Sequence, residues 1–187
     1  MSHPRAPSIA FSHVGIHVTD LRRVADFYTR FLGFTVTDRG PIETPQGRVE
    51  LVFLSRDPNE HHQVVLVTGR PADAGFNTVN QISFRVDGLT TLRAMHARLV
   101  GEPVTDVQAV SHGNALSVYF RDPEGNRIEL FIDTPWYVSQ PMRIAMDLSL
   151  PDDALWRWVE ETARPLPGFK PRDEWRRDMT ARMGARE

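Results

Sequence analysis

The chain has no cysteine, which excludes disulfides and thiolate metal ligands. Any metal it binds must be held by histidine, carboxylate, amide or water. It also lacks a run approaching the ~20 apolar residues that a membrane-crossing helix needs. No apolar stretch follows the opening Met1-Ser2-His3-Pro4-Arg5, so no secretory leader is read there. The cytoplasm is the expected location, without membrane contact. Charge of one sign is missing too: a formal net charge of −2 provides no basic stripe and argues against nucleic acid as a partner. What is present is ordinary for a globular protein, with 41% apolar and 25% charged residues. The length of 187 residues suits one well-cored domain, or two small modules sharing a core.

A weak internal repeat favours two modules. Residues 13–33 (HVGIHVTDLRRVADFYTRFLG) align without a gap on residues 81–101 (QISFRVDGLTTLRAMHARLVG). Val18 falls on Val86, Leu21 on Leu89, Arg30 on Arg98 and Gly33 on Gly101. Each copy opens with an alternating, strand-like run, Phe11 to Val18 and Val79 to Val86. Asp20 and Asp87 fit as helix N-caps. Helical spacing follows in Leu21, Val24, Phe27, Tyr28, Phe31 and Leu32, then in Leu89, Leu92, Met95, Leu99 and Val100. Gly33 and Gly101 are suited to end the helices.

Three more strands are predicted in each copy. They are Phe34–Asp38, Val49–Leu54 and Gln63–Val67 in the first, and Val104–Val110, Leu116–Arg121 and Arg127–Ile132 in the second. Turn sequences such as Thr44-Pro45-Gln46-Gly47 and Asp122-Pro123-Glu124-Gly125-Asn126 separate them. The expected fold is α+β: a βαβββ module over residues 9–70, a second over 79–135, and a helical extension over 136–187, with Gly69–Thr78 as linker. In the extension, Asp152–Ala163 and Arg172–Met183 are the helix candidates. With Trp156, Trp158 and Trp175, it is read as wrapping the core or a partner subunit.

Paired modules of this kind form a barrel-like cup in which equivalent strand positions converge. Those positions are His13 and Gln81 on the first strands, Val65 and Glu129 on the last. Glu129 stands out because it lies between Ile128 and Leu130, where an unpaired carboxylate costs several kcal/mol. A divalent cation is one partner that would relieve that cost. His13 would be a second ligand and the Gln81 amide a third, with vacant positions for substrate. Taken singly these residues say little. A strand histidine is more often a hydrogen-bonded core or surface residue, and an isolated strand glutamate more often faces solvent. Their places in the repeat raise the metal reading.

The run His13-Val14-Gly15-Ile16-His17-Val18-Thr19-Asp20-Leu21, with Phe27-Tyr28 and Leu32-Gly33-Phe34, resembles the opening of vicinal-oxygen-chelate proteins. So does the ending Tyr119-Phe120-Arg121-Asp122-Pro123-Glu124-Gly125-Asn126-Arg127-Ile128-Glu129-Leu130. This superfamily includes glyoxalase I, methylmalonyl-CoA epimerase, fosfomycin- and bleomycin-resistance proteins and extradiol dioxygenases. The dioxygenase branch fits best, because its His, His and Glu ligands map onto His13, Gln81 and Glu129 and its fourth position is no ligand, as at Val65. Gln81 departs from that pattern, since an amide oxygen is a weaker donor than imidazole.

The resemblance further implies a catalytic Tyr119 that hydrogen-bonds a substrate oxygen and a His112 that moves protons. It implies Fe(II) as cofactor, with Mn(II), Zn(II), Co(II) or Ni(II) as alternatives. The substrate would be an aromatic diol or another oxygen chelator, and the assembly a homodimer. Two further readings stay open: a metal-dependent lyase or isomerase of glyoxalase or epimerase type, and a metal-free binding protein of resistance type. His61 and His62 are read as loop residues at a strand start, with a role at the cup mouth as the alternative.

Overall fold

The structure is a computed structural model that describes residues 9–71 and 73–183. The Met1-to-Arg5 segment read for a leader lies outside the described residues. Contacts divide the chain after Val79 into two compact units.

In the first unit, β1 (Val14–Val18) leads into α1 (Leu21–Arg30), followed by β2 (Thr35–Thr44), β3 (Gly47–Ser55) and β4 (Val64–Thr68). This is the βαβββ order. The strands form an open sheet in the order β1-β4-β3-β2, with β1 parallel to β4 and the rest antiparallel. Asp20 caps α1 as expected, its carboxylate accepting from the Arg23 N–H at 2.9 Å. Gly33 follows the helix with φ of +73°, which a residue bearing a Cβ adopts only under strain. Val24, Phe27 and Tyr28 bury one face of α1 together with Phe31, Leu54 and Leu66. The Phe27 and Phe31 rings stack at 5.1 Å.

The second strand runs to Thr44, well beyond the expected end at Asp38. Gly40 and Pro41 lie within this continuation. β2 is an edge strand, where the missing proline N–H need not break a ladder bond.

The second unit repeats the order with β5 (Ile82–Arg85), α2 (Leu89–Arg98), β6 (Thr105–Ser111), β7 (Ala115–Arg121) and β8 (Arg127–Asp133). The extension adds β9 (Trp136–Tyr137), β10 (Ile144–Ala145), α3 (Asp152–Ala163), β11 (Lys170–Pro171) and α4 (Arg172–Met183). Both expected extension helices are therefore present. The short strands were not foreseen: β10 joins the main sheet, ordered β10-β6-β7-β8-β5, while β11 pairs with β9.

Here a sequence expectation fails. Asp87 does not cap α2; the N-cap is Gly88, with no side-chain hydrogen bond. Asp87 is one residue too early for its side chain to take the N-cap position. Val100, expected on the apolar face, is 87% exposed because the helix has already ended at Arg98.

Alternation along β7 and β8 sorts the side chains. Leu116, Val118 and Phe120 pair with Ile132, Leu130 and Ile128, and all six are buried. This apolar face meets α2, whose Leu89 and Leu92 are also buried. Ser117, Tyr119, Arg127 and Glu129 are left on the other face. Among the described residues no helix is long and apolar enough to cross a membrane.

The two caps make a paired test. Asp20→Ala is expected to cost about 1 kcal/mol of stability in urea unfolding, whereas Asp87→Ala should change it by less than about 0.5 kcal/mol.

Candidate active site

Strand register assembles the polar face of the second unit. Glu129 stands opposite Ser83 on β5 and opposite Tyr119 on β7. Gln81, two residues before Ser83, and Ser117, two before Tyr119, point to the same side. The carboxylate is buried, with 7% of the residue exposed, and donors surround it. Its Oε2 accepts from Gln81 Nε2 at 2.9 Å and Ser83 Oγ at 2.5 Å. Its Oε1 accepts from Ser117 Oγ and Tyr119 Oη, each at 2.6 Å. A carboxylate is acceptor-only with about four lone-pair sites, so every site is used. Among the described residues no Lys or Arg forms an ion pair with it.

Tyr119 links this group to His112, whose Nε2 lies 2.9 Å from the phenol oxygen and 3.9 Å from Glu129 Oε1. The other ring nitrogen, Nδ1, lies 2.6 Å from the Met142 carbonyl. A carbonyl only accepts, so Nδ1 carries a proton. The single hydroxyl proton of Tyr119 cannot serve both neighbours. Burial, then the hydrogen bond that Tyr119 donates to Glu129 and the negative charge of that carboxylate, push the Tyr119 phenol up to about 12. It therefore stays a neutral donor at any working pH. The Arg127 guanidinium lies over the Tyr119 ring at 4.4 Å and that of Arg143 at 5.8 Å.

The start of the extension holds His112 in place. Gln140 Nε2 donates to the His112 carbonyl at 2.8 Å, and Gln140 Oε1 accepts from the Met142 N–H at 3.1 Å. Further along, Arg172 clamps the extension back through Asp133 at 2.6 Å and the Asn114 carbonyl at 3.0 Å. Tyr137 stacks on Trp175 at 5.3 Å.

Of the residues singled out in the sequence, Gln81, His112, Tyr119 and Glu129 come together in this unit. His13 belongs to the first unit, one residue before β1, and is exposed. Its ring lies 4.2 Å from that of His62, whose Nδ1 is 2.8 Å from His61 Nδ1. His61 and His62 are loop residues just before β4, as expected, and their rings gather with that of His13 near Phe53. Burial, then repulsion from His13 and His61, lowers the pKa of His62. Val65 is buried on β4 opposite Gly15 and offers no donor. Ser83 and Ser117 were missed; their signal was a two-residue offset from Gln81 and Tyr119. Among the described residues no three His, Asp or Glu side chains form a ready metal cage.

The family model of the Glyoxalase/Bleomycin resistance protein/Dioxygenase superfamily matches residues 10–130. The chain belongs to that superfamily. It is 25% identical to biphenyl-2,3-diol 1,2-dioxygenase 2 of Rhodococcus globerulus, an alignment covering 84% of this chain and 93% of the relative. Two solved structures share the fold. One is a glyoxylase/bleomycin resistance protein/dioxygenase domain from Frankia sp. EAN1pec, with TM-score 0.54 and 22% identity over 68% of this chain and 100% of the other. The other is the trypanothione-dependent glyoxalase I of Leishmania major, with TM-score 0.52 and 24% identity over 66% and 86%.

The donors around Glu129 should differ in weight. Ser117→Ala removes a buried hydrogen bond to a charged acceptor and is expected to cost about 2 kcal/mol. Ser83 is exposed, so Ser83→Ala should cost under about 1 kcal/mol in the same urea titration. Alkaline unfolding tests Tyr119. Its phenol ionises near 10.0 when unfolded and near about 12 when folded, so its share of stability is complete below the first value and lost on rising through the second. Tyr119→Phe should flatten the decline in unfolding free energy across that window.

Proposed function

We propose that this protein is a metal-dependent enzyme of the vicinal-oxygen-chelate type that opens a catechol-like ring with dioxygen. The observation that carries the reading is the buried carboxylate of Glu129 joined through Tyr119 to His112. The relative named for acting on biphenyl-2,3-diol, aligned over most of both chains, supports it.

A divalent cation would fit this donor set by displacing the exposed Ser83 hydroxyl from Oε2. The formal charge of Glu129 is met by neutral donors only, and on Oε2 these are the half-buried Gln81 and the exposed Ser83. Gln81 turns its amide N–H to the carboxylate, which leaves its oxygen as the atom to offer a metal. Glu129 and the Gln81 oxygen would hold the ion within the second unit; an oxygen-rich set favours Fe(II) or Mn(II). Bound Fe(II) supplies positive charge for two neighbouring substrate oxygens and the redox chemistry of dioxygen.

The chain's own residues do the rest. The neutral Tyr119 hydroxyl, which donates to Glu129 here, would turn to donate to a substrate oxygen that replaced Oε1 as its acceptor. His112 gives and takes a proton at Nε2, its ring held by the Met142 carbonyl at Nδ1. A cytoplasmic homodimer completes the proposal, supported by the exposed Ile144 and Met183 of the extension.

Gln81 keeps a second reading in view. A metal-dependent lyase or isomerase uses the same carboxylate without dioxygen, and activity with Zn(II), Co(II) or Ni(II) under anaerobic conditions favours it. The deciding experiment is anaerobic loading with Fe(II), followed by air and a broad catechol panel. A yellow ring-fission product is expected. Glu129→Ala should fail to retain iron, and His112→Ala should lower kcat about 100-fold or more. Absence of product from every catechol rejects ring cleavage.

A further inference from the structure

We infer that the second unit recognises an acidic group on its ligand through Arg127 and Arg143. This rests on reading the Glu129 face as a small-molecule site, and it names the class of molecule: a small organic anion.

Arginines gather on this face. Arg85 lies two residues from Ser83, Arg121 two from Tyr119 and Arg127 two from Glu129, so all three share its side. Arg143 reaches in from the extension. Two of them are neutralised within the unit, Arg85 by Asp133 and Arg121 by Asp106 at 3.5 Å. Among the described residues neither Arg127 nor Arg143 has a carboxylate partner; Arg143 is held by the neutral amide of Gln108. Both instead lie against the ring of Tyr119, whose hydroxyl marks the reactive end of the site.

Two features set Arg127 apart from a solvated surface cation. Its Nε is buried and has no acceptor, which costs free energy in a folded protein. It also stands directly opposite Arg121 in the β7–β8 ladder, and like charges in that position repel. Glu129 cannot relieve either strain because its oxygens are saturated. A carboxylate, sulfonate or phosphonate would supply the charge partner that Arg127 and Arg143 lack, and the planar guanidinium fork matches those groups. The negative charge of Glu129 then orients the ligand: its acid end lies on the arginines and its neutral oxygens lie towards Tyr119 and Glu129. The competing role is purely structural, two cations bracing an aromatic ring.

The test is calorimetric titration of metal-free protein with phenylacetate and phenylphosphonate, and with the neutral phenylacetamide. Both acids should bind at least about tenfold more tightly than the amide. Arg127→Gln and Arg143→Gln should each weaken acid binding about tenfold and leave the amide unchanged. If Arg127→Gln does not fold, the exposed Arg143 carries the comparison. The inference is overturned if neither acid binds at millimolar concentration, if acid and amide bind alike, or if the folded Gln variants bind the acids as tightly as the wild type. No catechol or metal enters this experiment. A protein that binds the acids yet cleaves no catechol retains the anion site and loses only the ring-cleavage reading.

Discussion

The arrangement of the second unit follows from one constraint: a carboxylate held in an apolar strand has to be surrounded by donors. Glu129 lies between Ile128 and Leu130, both part of the buried core, so its side chain turns to the opposite face. That face then had to supply hydroxyls and an amide in register. β5 gives Ser83 and Gln81, and β7 gives Ser117 and Tyr119. The same hydrogen bonds fix Tyr119, and through Tyr119 they fix the position at which His112 is useful. The contacts that solve the solvation problem of Glu129 also set the Tyr119–His112 contact.

Much of the fold was legible because its information is periodic. The offset between residues 13–33 and 81–101 revealed two βαβββ modules, and helical spacing within each copy located α1 and α2. Where the reading failed, tertiary position overrode local signals. Pro41 continues a strand because nothing pairs beyond it, and Asp87 misses its cap by a single residue.

The site was legible more unevenly. Glu129 announced itself by being anomalous among apolar neighbours, while Tyr119 and His112 emerged from the family pattern. Ser83 and Ser117 carried no signal of their own, because a serine in a strand is informative only once register is known. His61 and His62 resembled an ordinary polar loop, and only folding shows how close His62 lies to His13. The Met142 carbonyl was invisible in principle: a backbone oxygen has no residue-type signature, so its role depends wholly on where the extension runs.

That carbonyl ties the tail to the His112 ring through main chain, alongside the Arg143 side chain that reaches the Tyr119 ring. His112 is oriented by main chain from the segment after β9, and that segment is anchored by Gln140, by Arg172 and by the stack of Tyr137 on Trp175. The described part of the extension, up to Met183, thus acts as a backstay for one imidazole. Any event that slackens them, such as a cut in the tail or a partner peeling α4 away, would reach the ring as lost alignment while leaving the β-sheet intact.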